Sequence, residues 1–218
     1  MKTTASRAWT GRFGLPLVSL ASWAARHWLW GANLFSLAYL GFAFLAPVLM
    51  ATEHYLAGRV IYAAYSLLCH QWPDRSYFLF GPQVQCSLAE LRLRLGTEVT
   101  RYYVGEPALG YKVAICQRCV AMYGVILAVG LLYGLLRRKE NGVRPLSWWG
   151  VLLLLAPVAI DGGGQLIGLW ESTWWVRTIT GGLFGVAWVA WVYPYLDEAV
   201  EEMLTFMADV PRLEEVSN

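Results

Sequence analysis

The sequence predicts an all-α fold: a polytopic membrane helical bundle of about four transmembrane helices, with a juxtamembrane or re-entrant segment that bears cysteines. Three observations predict it. Of 218 residues, 57% are hydrophobic and 15% charged, and the mean hydropathy is +0.44, whereas ordinary soluble domains hold about 45–50% apolar and about 25% charged residues. Apolar runs long enough to cross a bilayer recur along the chain. Basic residues cluster at their ends, as positive-inside bias requires. The same balance excludes a disordered chain and a small secreted disulfide scaffold, and a net charge of +2 implies no nucleic acid partner.

Residues 1–31 form a basic segment with Lys2, Arg7, Arg12 and Arg26 and no acid. The membrane domain, 32–196, opens with the uncharged run Ala32–Ala51, which reads as a first span entering from the cytoplasm. A long basic region without a small-x-small site marks this run as uncleaved. The outer segment, 52–112, follows. Within it Arg59–Leu68 is apolar but too short to cross, so it is expected as a juxtamembrane or re-entrant helix. Ser87 and Glu90 have capping-box spacing ahead of Leu88, Leu91 and Leu95, although Leu91, Leu93 and Leu95 also alternate as in a strand.

Val113–Leu136 is the second apolar stretch, interrupted by Arg118 and ending in Arg137, Arg138 and Lys139. Leu146–Leu169, with Asp161, and Trp174–Leu196, with Arg177, are the third and fourth, joined by the turn Trp170-Glu171-Ser172-Thr173 into an antiparallel hairpin. Trp148, Trp149, Trp170, Trp174, Trp175, Tyr193 and Tyr195 fall at span ends, where amphipathic rings anchor to headgroups. The tail 197–218 carries seven acids against Arg212, with apolar residues at helical spacing: an acidic amphipathic helix. Both termini are then cytoplasmic.

Two constellations could carry chemistry. Cys116-Gln117-Arg118-Cys119 is a C-x-x-C at a helix start, a spacing that suits one metal ion or a redox disulfide. Cys69 and His70 supply a third thiolate and an imidazole, so Cys69, His70, Cys116 and Cys119 suit tetrahedral zinc by type, with Cys86 as a substitute for His70. Two structural disulfides on the outer face explain the four cysteines equally well. The second constellation is Asp161, Arg118 and Arg177. Each costs at least about 2.5 kcal/mol at mid-membrane, so they are expected to pair or line a wet cavity. An Asp161–Arg177 ion pair fixing hairpin register is the plainest pairing. Gly162-Gly163-Gly164 after Asp161 invites a helix break or a kink, and Gly164/Gly168 and Gly181/Gly185 make small-x-x-x-small pairs for close packing. G-x-S-x-G, H-E-x-x-H, Walker and dinucleotide motifs are absent, as is C-x-x-C-H, which leaves the common hydrolase, zincin, nucleotide, Rossmann and c-type haem chemistries unsupported.

The run Cys69-His70-Gln71-Trp72-Pro73-Asp74-Arg75-Ser76, the later Cys116-Gln117-Arg118-Cys119 with Tyr123-Gly124, and the elements at Pro157…Asp161-Gly162 and Arg177…Thr180-Gly181 resemble domain-of-unknown-function family 2085. This is a family of multi-pass membrane proteins of bacteria and archaea. Residues 84–112, with Cys86, look inserted relative to shorter members. The resemblance implies that the cysteine, histidine, arginine and aspartate residues belong to one site; it implies no activity.

Three functions are expected from these residues. The first is a membrane zinc protein, with Asp161, Arg118, Arg75 and Arg177 in an adjoining pocket. It acts either as a metalloenzyme on a lipid-linked or anionic substrate or as an accessory subunit of a membrane complex. The second is a membrane thiol-disulfide oxidoreductase with Cys116 and Cys119 as the active pair and Cys69 and Cys86 as a shuttle pair. The third is an oligomeric transporter through a broken third helix. The expected partners are the bilayer and a membrane complex or a second copy.

Overall fold

In a computed structural model of the chain, residues 15–96, 98–137 and 143–216 are described. A short helix α1 (Leu15–Arg26) precedes α2 (Trp28–Ala51); α3 (Tyr55–Tyr65) follows, then strand β1 (Ser76–Leu79), α4 (Leu88–Leu95), β2 (Gly105–Glu106), β3 (Gly110–Cys116), α5 (Gln117–Leu136), α6 (Trp148–Leu166) and α7 (Trp174–Val216). Four helices, α2, α5, α6 and α7, are long and apolar enough to cross a membrane. Of the residues expected to set orientation, Lys2, Arg7, Arg12, Arg138 and Lys139 lie outside the described residues.

Helices α2, α5 and α7 share a core of Leu29, Ile126, Tyr133, Val189 and Tyr193. Helix α7 approaches α5 closely because Gly181 and Gly185 lie one turn apart on its packing face. A Cβ at Gly181 would collide with the Arg118 carbonyl, and one at Gly185 would sit 2.7 Å from the Met122 carbonyl oxygen. This is the small-residue contact expected of that spacing. Helix α6 lies against α7, with Trp148 on Trp191 and the Leu146 amide donating to the Ala190 carbonyl. Its remaining face, including Leu153 and Ile160, is exposed. The helix runs unbroken through Gly162-Gly163-Gly164, so the anticipated break does not occur. Gly164 instead accommodates the Trp170 indole, which folds back onto it.

The segment between α2 and α5 adds a small three-stranded antiparallel sheet, ordered β1-β3-β2, to the otherwise helical fold. Its presence corrects the second apolar stretch. Residues 113–116 belong to β3, and α5 begins only at Gln117. Helix α3 doubles back along the end of α2, where Gly58 makes room for the Met50 side chain. Together α2, α3 and β3 enclose Tyr39, Ala43, Ala46, Tyr62, Val113 and Ile115. Leu91 packs into a separate cluster with Phe78 and Cys86. The leucine alternation resolves as helix: α4 starts at Ser87, whose hydroxyl accepts the Glu90 amide, leaving Leu93 exposed. The acidic tail continues α7 without interruption to Val216.

Candidate metal centre

Three elements converge at one end of the bundle. Cys69 follows the last turn of α3, its amide bonded to the Tyr65 carbonyl. Cys116 is the last residue of β3 and the N-cap of α5, and Cys119 lies one turn into that helix. The loop bearing Cys69 is tied down from below. Gln71 adopts a left-handed backbone, φ 53°, and its side-chain amide donates to the Tyr62 carbonyl at 2.9 Å. The fully buried Lys112 donates from Nζ to the Gln71 and Arg101 carbonyls, both at 2.6 Å. The Tyr62 hydroxyl donates to the Lys112 carbonyl. Burial pushes the Lys112 amine down to about 7, as expected where low dielectric disfavours charge.

This framework brings the Sγ atoms of Cys69, Cys116 and Cys119 within 4.8 Å of one another. The Cys116 amide donates to Cys69 Sγ at 3.3 Å. Hydrogen bonds from the Cys116 and Cys119 thiols, and from the Gln71 and Cys116 amides, hold the Cys69 thiol far below its ordinary value against the opposing effect of burial. All four cysteines are free. Cys86 is buried in the separate Phe78 cluster, so it neither joins the three as a fourth donor nor pairs with Cys69 as a shuttle. His70 is exposed and outside the converging group, although it lines the same cavity.

That cavity, about 520 Å³, is walled by the three cysteines together with Arg75, Arg118 and Arg177, and no carboxylate lines it. Asp161 lies behind the wall. It is buried and pairs with Arg118, not with Arg177, because Arg177 reaches across to the 3₁₀ turn at Pro73–Arg75. Arg177 Nη1 donates to the Asp74 carbonyl at 3.2 Å and to Gln117 Oε1 at 3.4 Å. Gln117, fully buried, donates in turn to the Ser76 carbonyl at 3.3 Å. Arg75 Nε stands 3.5 Å from Asp74 Oδ2 without hydrogen-bond geometry. The Nε atoms of Arg75, Arg118 and Arg177, and the Nε2 of Gln165, are buried without a partner among the described residues.

Sequence reasoning missed Gln71, Gln117 and Lys112. Lys112 carried a signal, being the one charge in the strand Gly110–Cys116, and a lone lysine in such a stretch must find carbonyls. Gln117 occupies an unspecified position of the C-x-x-C and carried none.

The family described as "Predicted membrane protein (DUF2085)" matches residues 108–191, which include Cys116, Arg118, Cys119, Asp161 and Arg177. The chain is similar to the uncharacterized protein MJ1492 of Methanocaldococcus jannaschii, 31% identical over 140 residues that cover 64% of this chain and 70% of the relative. No solved structure gives a significant match. With four helices fit to cross a membrane and a relative of this extent, the chain belongs to the DUF2085 family of membrane proteins.

Proposed function

We propose that this is a membrane metal-binding protein whose Cys69, Cys116 and Cys119 thiolates hold one zinc ion facing the arginine-lined cavity. The observation that carries the reading is the convergence of three sulfurs from two distant parts of the chain within 4.8 Å. Three cysteines in contact cannot all pair as disulfides, and Cys86 is not at hand to even the count. Tetrahedral zinc with bonds of about 2.3 Å requires sulfurs about 3.8 Å apart, so the donor set fits with small side-chain rotations. Three protein donors leave a fourth position for His70, water or substrate.

Zinc with such an opening lowers the pKa of water and polarises an oxygen of a bound substrate. The chain's own residues do the remaining work. Arg75, Arg118 and Arg177 orient an anionic substrate beside the sulfurs, Asp161 fixes the Arg118 guanidinium, and Gln117 holds Arg177 at the wall. If His70 closes the fourth position, the site is structural and the protein serves as an accessory subunit or a homo-oligomer in a membrane complex. The basic N-terminal segment and the Arg137-Arg138-Lys139-Arg144 cluster support a cytoplasmic side for both termini. A membrane-impermeant thiol reagent on intact cells then labels a cysteine introduced at Glu98 and not one at Glu140.

Elemental analysis of protein purified in mild detergent tests the metal directly. The expected result is one zinc per chain, lost in Cys69→Ser and in Cys119→Ser. Metal-free wild-type protein with four reactive thiols overturns the proposal.

A further inference from the structure

The metal reading above does not say what the arginines bind, and the cavity wall is more specific than a general anion site. Arg118 uses one Nη on Asp161, and Arg177 uses one Nη on Asp74 and Gln117. Their other nitrogens have no hydrogen-bond partner among the described residues, and the Arg75 guanidinium donates none at all. Arg177 is only 5% exposed, so its unused donors are held in place rather than solvated. The Nε atoms themselves are closed off, so the guanidinium ends are what meet a ligand; three of them around one space supply donors for the several oxygens of a tetrahedral phosphate, where a planar carboxylate offers only two. Cys116, at the N-terminus of α5, adds the positive end of a 20-residue helix to the same wall.

The rim has the opposite character. Leu68, next to Cys69, and Leu166, at the end of α6, both line the cavity and are 69% and 88% exposed. Leu67 and Ile167 continue the exposed apolar surface on each side. This mouth lies where α5 and α7 begin and α6 ends, at the ends of three helices long and apolar enough to cross a membrane. A cationic interior with an apolar lip suits a molecule that is anionic at one end and hydrocarbon at the other.

We infer that the cavity binds the phosphate group of an amphiphile, with Arg75, Arg118 and Arg177 on the phosphate oxygens and the chain lying over Leu68 and Leu166. This rests on the proposed site only for its location beside the sulfurs; the arginine contacts are independent of metal.

The test uses purified full-length protein in an uncharged maltoside detergent, titrated with dodecyl phosphate, dodecanoate and inorganic phosphate, with zinc content measured on the same samples. Saturable binding of dodecyl phosphate at least tenfold tighter than dodecanoate and inorganic phosphate is expected. Arg75→Gln, at the more exposed arginine, and Arg177→Gln should each weaken it at least tenfold with zinc content unchanged. Where Arg177→Gln elutes as aggregate, Arg75→Gln and the rim variant Leu68→Asn carry the test. Inorganic phosphate binding as tightly as dodecyl phosphate overturns the amphiphile and leaves a free-phosphate site. Equal binding of dodecanoate overturns phosphate selectivity, and unchanged affinity in Arg75→Gln and Leu68→Asn overturns the site. Wild-type protein that carries zinc but binds none of the probes defeats this inference alone; protein that binds dodecyl phosphate without zinc defeats the metal reading alone.

Discussion

The two ends of the helical bundle both place charge among apolar helices, and they treat it in opposite ways. At the end away from the cysteines, Asp197 on α7 gathers α2 and α5. Its Oδ1 accepts from Trp28 Nε1 at 2.9 Å and Arg137 Nη1 at 2.7 Å, and its Oδ2 accepts from the Tyr133 hydroxyl at 2.6 Å. No buried polar atom of those four residues lacks a partner. At the cysteine end, three arginines and a glutamine each keep a buried nitrogen with no acceptor. The charged groups of the Asp197 clamp satisfy one another, whereas those at the cysteine end leave donors unpaired. The contrast is confined to the charged groups, since Asn33 Oδ1, in the same cavity as Arg137, and Trp191 Nε1 are also buried without a partner among the described residues, whereas buried polar groups are otherwise almost always paired.

Substitutions can break this contrast or sharpen it, and the metal gives the largest effect. Cys119→Ser should take zinc from one per chain to near zero, whereas Asp197→Ala should leave it at one. Zinc loss in Asp197→Ala, measured on a monodisperse sample, would show that the two ends are not independent. Next in size is Asp161, which among the described residues is the carboxylate that the cysteine end pairs with an arginine across helices. Asp161→Leu strands the Arg118 charge and should cost about 3–5 kcal/mol, with most of it regained in Arg118→Leu/Asp161→Leu. Thermal unfolding of the three variants in detergent reads this, and equal losses in the single and double variants would mean the pair is not the cause.

Smaller effects follow at the clamp. Asp197→Ala removes the acceptor of three donors and should lower stability by about 2 kcal/mol, and Tyr133→Phe by about 1 kcal/mol. The smallest change has the opposite sign. Gln165→Leu deletes an amide whose Nε2 is buried and unpartnered, so its melting temperature should stay level or rise while binding of dodecyl phosphate weakens. A clear drop in melting temperature would assign Gln165 to the clamp type and blur the comparison.

The clamp and the site differ also in how far the sequence revealed them. The four long helices follow from hydropathy, and the turn at Ser87 follows from its cap spacing. The C-x-x-C and Cys69 were visible as donors. The strand β3 was hidden because all but its last residue are buried, which erases the alternation that marks a strand, and because its apolar run flows directly into α5. Asp161 and Arg177 showed themselves as charges in apolar runs, but which arginine takes Asp161 depends on the approach of α6 to α5, and residue spacing does not encode it. The same limit applies to His70 and Cys86, chemically suitable donors that the chain path carries away from the sulfurs. Asp197 stands at the start of the acidic tail, and nothing local announces Trp28 and Tyr133, which lie 169 and 64 residues away.

The unbroken run of α7 has a consequence of scale. A helix of 43 residues, rising about 1.5 Å per residue, is about 64 Å long, roughly twice the thickness of a bilayer's hydrocarbon layer. Arg177 stands at its fourth residue, and the acidic face is at the other extremity. About midway along, Asp197 ties the helix to Trp28 of α2 and Tyr133 of α5. One continuous helix thus joins the acidic end to the wall of the cavity at the opposite end, with Pro194 set into it beside the Asp197 contacts.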